Sequence, residues 1–156
     1  MNAAMKQVVL RSYAQGNPKA GDFAIVVVPV PVPGEGEGLL KVLWLALAPL
    51  IRFSLDETLL SGATHLAIGD VIAGPAVCAV IASNHPGYSV GDVVEARAGW
   101  REYAVIAPDQ SDYRGPPRKI DRTLGPVSTA LGALGGPGQT AHAGIVTTGR
   151  VAAGGR

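Results

Sequence analysis

The chain has 156 residues, of which 47% are apolar and 16% charged, with a formal net charge of +1. Those values give room for one hydrophobic core and exclude both a disordered chain and a coiled coil. Lys and Arg are scattered rather than clustered, which leaves no electrostatic footprint for nucleic acid.

In chain order, Lys6–Ser12 reads as a first strand, and the Gly16-Asn17-Pro18 and Gly21-Asp22 turns lead into a second, Phe23–Val28. The alternating prolines of Pro29 to Pro33 end it as an extended edge segment. Leu39–Ala48 is a long apolar strand, expected to be buried on both faces over much of its length. Pro49 to Gly69 is the least regular and most chemically polar region, carrying Arg52, Asp56, Glu57, Thr58 and His65. Val71–Ser83 and Asp92–Ala98 are strands joined by the turn Asn84 to Gly87, and Trp100–Ala107 is expected to return as a hairpin partner. After the loop Pro108–Pro117, Leu124–Leu134 and Thr140–Val146 read as two short helices around the break Gly135 to Gly138. Thr147–Arg156 is a short, glycine-rich tail after a domain spanning residues 1–146. Met1 to Arg11 has no apolar h-region, and the longest apolar stretch, Leu39 to Ile51, is shorter than the roughly 20 residues that cross a bilayer. No membrane association and a cytoplasmic location are therefore expected.

Two short motifs fail on context. Gly87-Tyr88-Ser89-Val90-Gly91 matches the G-x-S-x-G nucleophile elbow, but that motif needs a strand before it and a helix after, and here the order is inverted. Gly136 to Ala141 fits G-x-G-x-x-A, yet it follows a helix-like segment and no acidic residue comes after it, so it reads as helix punctuation. His65, His85, His142 and Cys78 are too widely spaced for a zinc cage. Cys78 lies inside a strand and reads as a small buried hydrophobe, while His85 sits in a turn and is expected at the surface. As an isolated feature, Trp100 followed by Tyr103 is ordinary core and edge packing.

Taken in order, several segments resemble one family. They are Pro31-Val32-Pro33-Gly34-Glu35-Gly36-Glu37, Leu45 to Arg52, Gly74…Gly91-Asp92-Val93-Val94, Gly99-Trp100-Arg101-Glu102-Tyr103-Ala104-Val105, Arg118-Lys119-Ile120-Asp121, and Ala130-Leu131-Gly132…Leu134 to Ala141. Together these are similar to the zinc-independent branch of the medium-chain dehydrogenases/reductases, which includes leukotriene B4 dehydrogenases, prostaglandin reductases and alkenal double-bond reductases. The resemblance covers roughly Met5 to Ile145. It implies a mainly β fold, a GroES-like, partly open β-barrel with two short C-terminal helices, serving as the substrate-binding half of a two-domain enzyme. In that family NADPH lies against a Rossmann domain, and hydride passes to the double bond of an α,β-unsaturated carbonyl.

Departures from the pattern shape the functional expectation. The family usually has Asp-Pro-Tyr-Met-Arg where this chain has Ala48-Pro49-Leu50-Ile51-Arg52, and the family tyrosine of the T-A-Y segment is His142 here. Arg52 is retained and Leu50 makes the pocket more apolar. The sequence stops at Arg156, before the Rossmann strand and glycine-rich turn would begin. The expectation is therefore a domain with no bound cofactor, taking NADPH only if a separate Rossmann domain is supplied. It would bind an apolar unsaturated carbonyl or polyketide-like small molecule and promote a cofactor-free isomerisation, cyclisation or elimination. Arg52 would clamp the carbonyl, and Asp56 or His65 would act as general acid or base. Trp44, Leu50, Trp100, Tyr103 and His142 would line or support the pocket. The alternatives are one half of an NADPH-dependent enone reductase and a non-catalytic small-molecule-binding domain. Self-association is expected through the apolar face that a Rossmann domain would cover, with Leu124–Val146 in the contact.

Overall fold

The computed structural model describes residues 3–57, 66–110 and 115–151. Seven strands and two short α-helices run in the order β1 (Ala4–Leu10), β2 (Phe23–Pro29), β3 (Gly38–Leu45), α1 (Pro49–Ser54), β4 (Ala76–Ser83), β5 (Val93–Ala96), β6 (Tyr103–Ile106), β7 (Arg118–Lys119) and α2 (Gly136–His142). β1 and β2 form an antiparallel ribbon. The other five strands form an open antiparallel sheet in the order β6-β3-β4-β5-β7. The fold is mainly β, as the glycine- and proline-punctuated apolar segments predict, and it is the partly open barrel that the family resemblance implies.

The alternation of side chains along each strand builds the first core. Leu40, Cys78, Val80, Val94 and Ala104 point inward from four different strands and are buried. Leu40 sits opposite Val80 on one side and Ala104 on the other. A second cluster, with Leu10, Leu55, Leu66 and Ile72, lies beneath α1. Backbone bonds from Val8 N–H to the Trp100 carbonyl (2.8 Å) and from Trp100 N–H to the Ile72 carbonyl (2.9 Å) tie the ribbon to the body of the domain.

Several expectations change. Trp100–Ala107 does not pair with Asp92–Ala98: β6 lies against β3, with Gly38 opposite Ile106 and Lys41 opposite Tyr103. The reason is that β5 already has β4 on one edge and β7 on the other. β3 is not buried on both faces throughout. β6 flanks only its first half, and Leu43, Trp44 and Leu45 beyond it are exposed. The expected break at Gly135 to Gly138 is instead the start of α2, with Pro137 in the first turn where its missing N–H costs no hydrogen bond. The segment expected as the preceding helix is resolved into tight 3-10 turns at Arg122–Leu124 and Val127–Leu131. After α2, a π-helical turn runs over Ala143–Thr148 and takes in the first residues of the tail. Cys78 is fully buried as expected, whereas His85 is only partly exposed because its ring packs on Tyr88 and meets Asp109.

Candidate functional site

The irregular stretch after β3 is where the sequence concentrates its polar chemistry, and α1 organises the part of it that is described. Ala48 is extended and Pro49 begins the helix, a position that suits its fixed φ. Six residues later Leu55 ends it and turns into the second core, where it is buried. The Ala14 N–H bonds the Leu55 carbonyl at 3.0 Å, which pins the loop after β1 beside the helix.

Within that frame Arg52 and Asp56, one helical turn apart, form an ion pair of 2.6 Å from Nη1 to Oδ1. Arg52 Nη2 donates to the carbonyl of Gly16. Gly16 adopts a φ of +78°, a conformation that glycine takes without strain and that aims its carbonyl at the helix. One guanidinium thus fastens helix and loop, and its charge is balanced inside the cluster.

Beside this latch opens a shallow cleft of about 370 Å³. Its walls are mainly apolar: Phe23, Leu47, Pro49, Ile51 and Trp100 surround the stem of Arg52. The Trp100 and Phe23 rings stack with centroids 5.9 Å apart and planes 25° from parallel. Gly99, with a φ of +70°, makes the turn that delivers Trp100, and a Cβ there would meet the Ile72 carbonyl at 2.9 Å. The indole Nε1 is buried with no hydrogen-bond partner among the described residues.

A larger hollow of about 590 Å³ lies between β5, β7 and the start of α2. It is more polar, with Glu95, Arg97, Arg118 and Gln139 at its edge. Arg118 is committed there: it pairs with Glu95 at 2.6 Å and reaches the Leu134 carbonyl at 3.3 Å, so it clips the C-terminal segment to the sheet. Nothing among the described residues of its wall resembles a phosphate cradle. The Gly136 to Ala141 motif follows 3-10 turns rather than a strand, and every described strand pair is antiparallel. A dinucleotide grip needs a parallel βαβ unit, so the described residues do not fit that group. Among them no group of three His, Cys, Asp or Glu side chains comes together as a metal site.

The structure brings Arg52 and Trp100, which the sequence singled out separately, into the wall of one cleft, with Asp56 paired to Arg52 beside it. It does not bring in the others. Leu50 points outward from α1 at 45% exposure. Trp44 is exposed on β3, Tyr103 faces Lys41 across the β3–β6 ladder, and His142 is exposed on α2. His65 lies outside the described residues. Sequence reasoning missed Phe23, Leu47 and Ile51 as walls and the Gly16 carbonyl as a partner of Arg52. Leu47 and Ile51 lie in the Leu45 to Arg52 segment that carries the family resemblance, and Phe23 opens the second strand after a double turn.

A sequence profile described as the N-terminal domain of oxidoreductase matches residues 6–112. The chain belongs to the zinc-independent medium-chain dehydrogenases/reductases. It is 34% identical to a 2-alkenal reductase (NADP(+)-dependent) of Nicotiana tabacum over 143 residues, covering 90% of this chain and 40% of the relative. To the NADPH-dependent curcumin reductase of Escherichia coli (strain K12) it is 35% identical over 142 residues, 91% of this chain and 39% of the relative. The crystal structure of CurA from Vibrio vulnificus superimposes with a TM-score of 0.82 at 34% identity, over 94% of this chain and 41% of that one. CurA has also been crystallised in complex with NADPH. The chain therefore spans about two-fifths of the length of these relatives and corresponds to the N-terminal domain of the oxidoreductase family. Among the described residues no helix is long and apolar enough to cross a membrane.

Proposed function

We propose that this chain is the substrate-side domain of a nicotinamide-dependent reductase acting on activated carbon–carbon double bonds in small molecules. The observation that carries the reading is the mainly apolar cleft walled by Phe23, Ile51 and Trp100, in a domain aligned over nine-tenths of its length with reductases of that kind. An enone is flat, mostly apolar and has one strong acceptor, so a hydrophobic cleft with few polar groups suits it. The role of these residues is to bind and orient the alkene and to keep water from it. A reduced nicotinamide, where one is held, supplies hydride. The described residues have no grip for it, so that task falls to a dinucleotide-binding unit outside them.

The cofactor-free isomerisation, cyclisation or elimination has less support. It needs a charged or titratable group free to act on the substrate, yet Arg52 is engaged by Asp56 and Gly16 and the relatives named above are reductases. A homo-oligomer is part of the proposal, because Trp44, Leu47, Ile145 and Val146 are more than half exposed and such apolar surface is rarely left bare.

The test is oxidation of NADPH, followed by its absorbance, with 4-phenylbut-3-en-2-one as acceptor. The chain is assayed alone and after grafting in place of the N-terminal domain of the Escherichia coli relative. Turnover by the graft, abolished by Trp100→Ala, is the expected result. Isomerised or cyclised product from the purified chain without any cofactor would overturn the proposal. So would a folded, NADPH-binding graft that does not reduce the enone.

A further inference from the structure

We infer that the cleft beside α1 selects neutral alkene substrates and rejects those carrying a carboxylate, because the one cation among its described residues is neutralised from within the chain. The inference rests on the reading of this cleft as the substrate site.

An arginine in an apolar cleft is ordinarily the group that captures an acidic substrate, since its planar fork matches a carboxylate in two bonds. Here both terminal nitrogens of that fork already have a partner within the chain. Nη1 is 2.6 Å from Asp56 Oδ1, and Nη2 bonds the Gly16 carbonyl. Asp56 lies one turn further along the same chain, so it competes as a tethered, intramolecular partner against any carboxylate arriving from solution. The side chains of the pair are only about one-third exposed, so water screens their attraction incompletely. Among the described residues no other charged side chain borders the cleft, and the remaining described walls are apolar. A carboxylate entering it would lose hydration without gaining a cation, and that loss is large for an ionised group. A ketone or aldehyde loses far less. Asp56 is thus a specificity residue that acts through Arg52.

The experiment compares 4-phenylbut-3-en-2-one with its para-carboxylate, 4-(4-carboxyphenyl)but-3-en-2-one, as ligands of the full chain. Binding is read from the indole N–H signals in a ¹⁵N–¹H correlation spectrum. The chain has two tryptophans: Trp100 lines the cleft, and Trp44, exposed on β3 outside it, serves as the internal reference. The expected result is that both ketones shift the Trp100 signal, the neutral one with a Kd at least tenfold lower. Asp56→Asn frees the guanidinium and is expected to lower that ratio about fivefold or more. Glu57→Gln, which changes the net charge equally but leaves the latch intact, should keep it.

Equal affinity of the two ketones for the native chain overturns the inference and leaves the substrate cleft standing. The same holds for a ratio unmoved by Asp56→Asn. If neither ketone shifts Trp100, the cleft itself is wrong and both readings fall. The native ratio decides the matter even if the Asp56 variant does not fold.

Discussion

Replacing Gly138 by alanine sets two physical effects of opposite sign against each other. Gly138 sits in α2, and alanine in a helix is worth about 1 kcal/mol over glycine from propensity alone. A Cβ at this position, however, would lie 1.9 Å from the Ala133 carbonyl oxygen and 2.5 Å from its carbon, where ordinary contact begins at 3.4 Å. The obstacle is backbone, held in place by the Gly138 N–H bond to the Gly132 carbonyl at 3.0 Å, so it does not swing aside. Overpacking on this scale costs about 1–3 kcal/mol, more where the backbone must move, and it outweighs the helix gain. Gly144 is the matched control, since a Cβ there meets nothing within 4 Å. Gly144→Ala should stabilise by about 0.4–1 kcal/mol through the unfolded state. Urea denaturation followed by circular dichroism reads both. With a slope near 2 kcal/mol per M, Gly138→Ala should lower the midpoint by about 0.5–1 M while Gly144→Ala raises it slightly. Amide exchange over 130–139 should quicken in the first variant alone. A Gly138→Ala chain as stable as the native one, or two variants shifting in the same direction, would refute the close approach of α2 to the preceding turn.

Leu40→Ala removes a fully buried side chain from between Val80 and Ala104 and should cost about 3–5 kcal/mol, read as a lowered denaturation midpoint. Acid should weaken the fold in a defined window. The carboxyls of Asp22, Asp92 and Asp121 are held below their ordinary value of 3.8, by the Lys19 N–H and Ser12 hydroxyl, by the Lys119 ammonium and Ser89 N–H, and by the Thr123 hydroxyl and N–H respectively. Folded chains therefore shed these protons more readily than unfolded ones. Their contribution is complete above about pH 4 and is lost as the pH falls through the lower folded values. Asp92→Asn should flatten that acid limb, as measured by stability between pH 5 and pH 2. Burial pushes the Cys78 thiol up to about 12, so Ellman's reagent at pH 8 should label it only as fast as the chain opens. Labelling within seconds in the absence of denaturant contradicts its place in the core.

Much of the barrel was legible because strands announce themselves locally. The runs at 6–12 and 23–28 became β1 and β2 within a residue or two, since turn residues and apolar alternation act over a few positions. Pairing was not legible. Whether Tyr103–Ile106 lies against β5 or β3 depends on which sheet edge is still free, and no local pattern records that. The site divides in the same way. Arg52 and Trp100 stand out by type and by family resemblance. The Phe23–Trp100 stack and the Gly16 carbonyl that holds Arg52 join positions 77 and 36 residues apart.

The order of residues carried the mainly β class and the buried thiol, because periodicity and turn chemistry are local properties, and it carried the family through segments that resemble it in order. Only the folded chain decided that Arg52 pairs with Asp56 and reaches the Gly16 carbonyl at the edge of an apolar cleft. It also decided that β3 is covered along half its length and bare along the rest. Those are outcomes of which surfaces meet, and surfaces far apart in sequence meet only once the chain has folded.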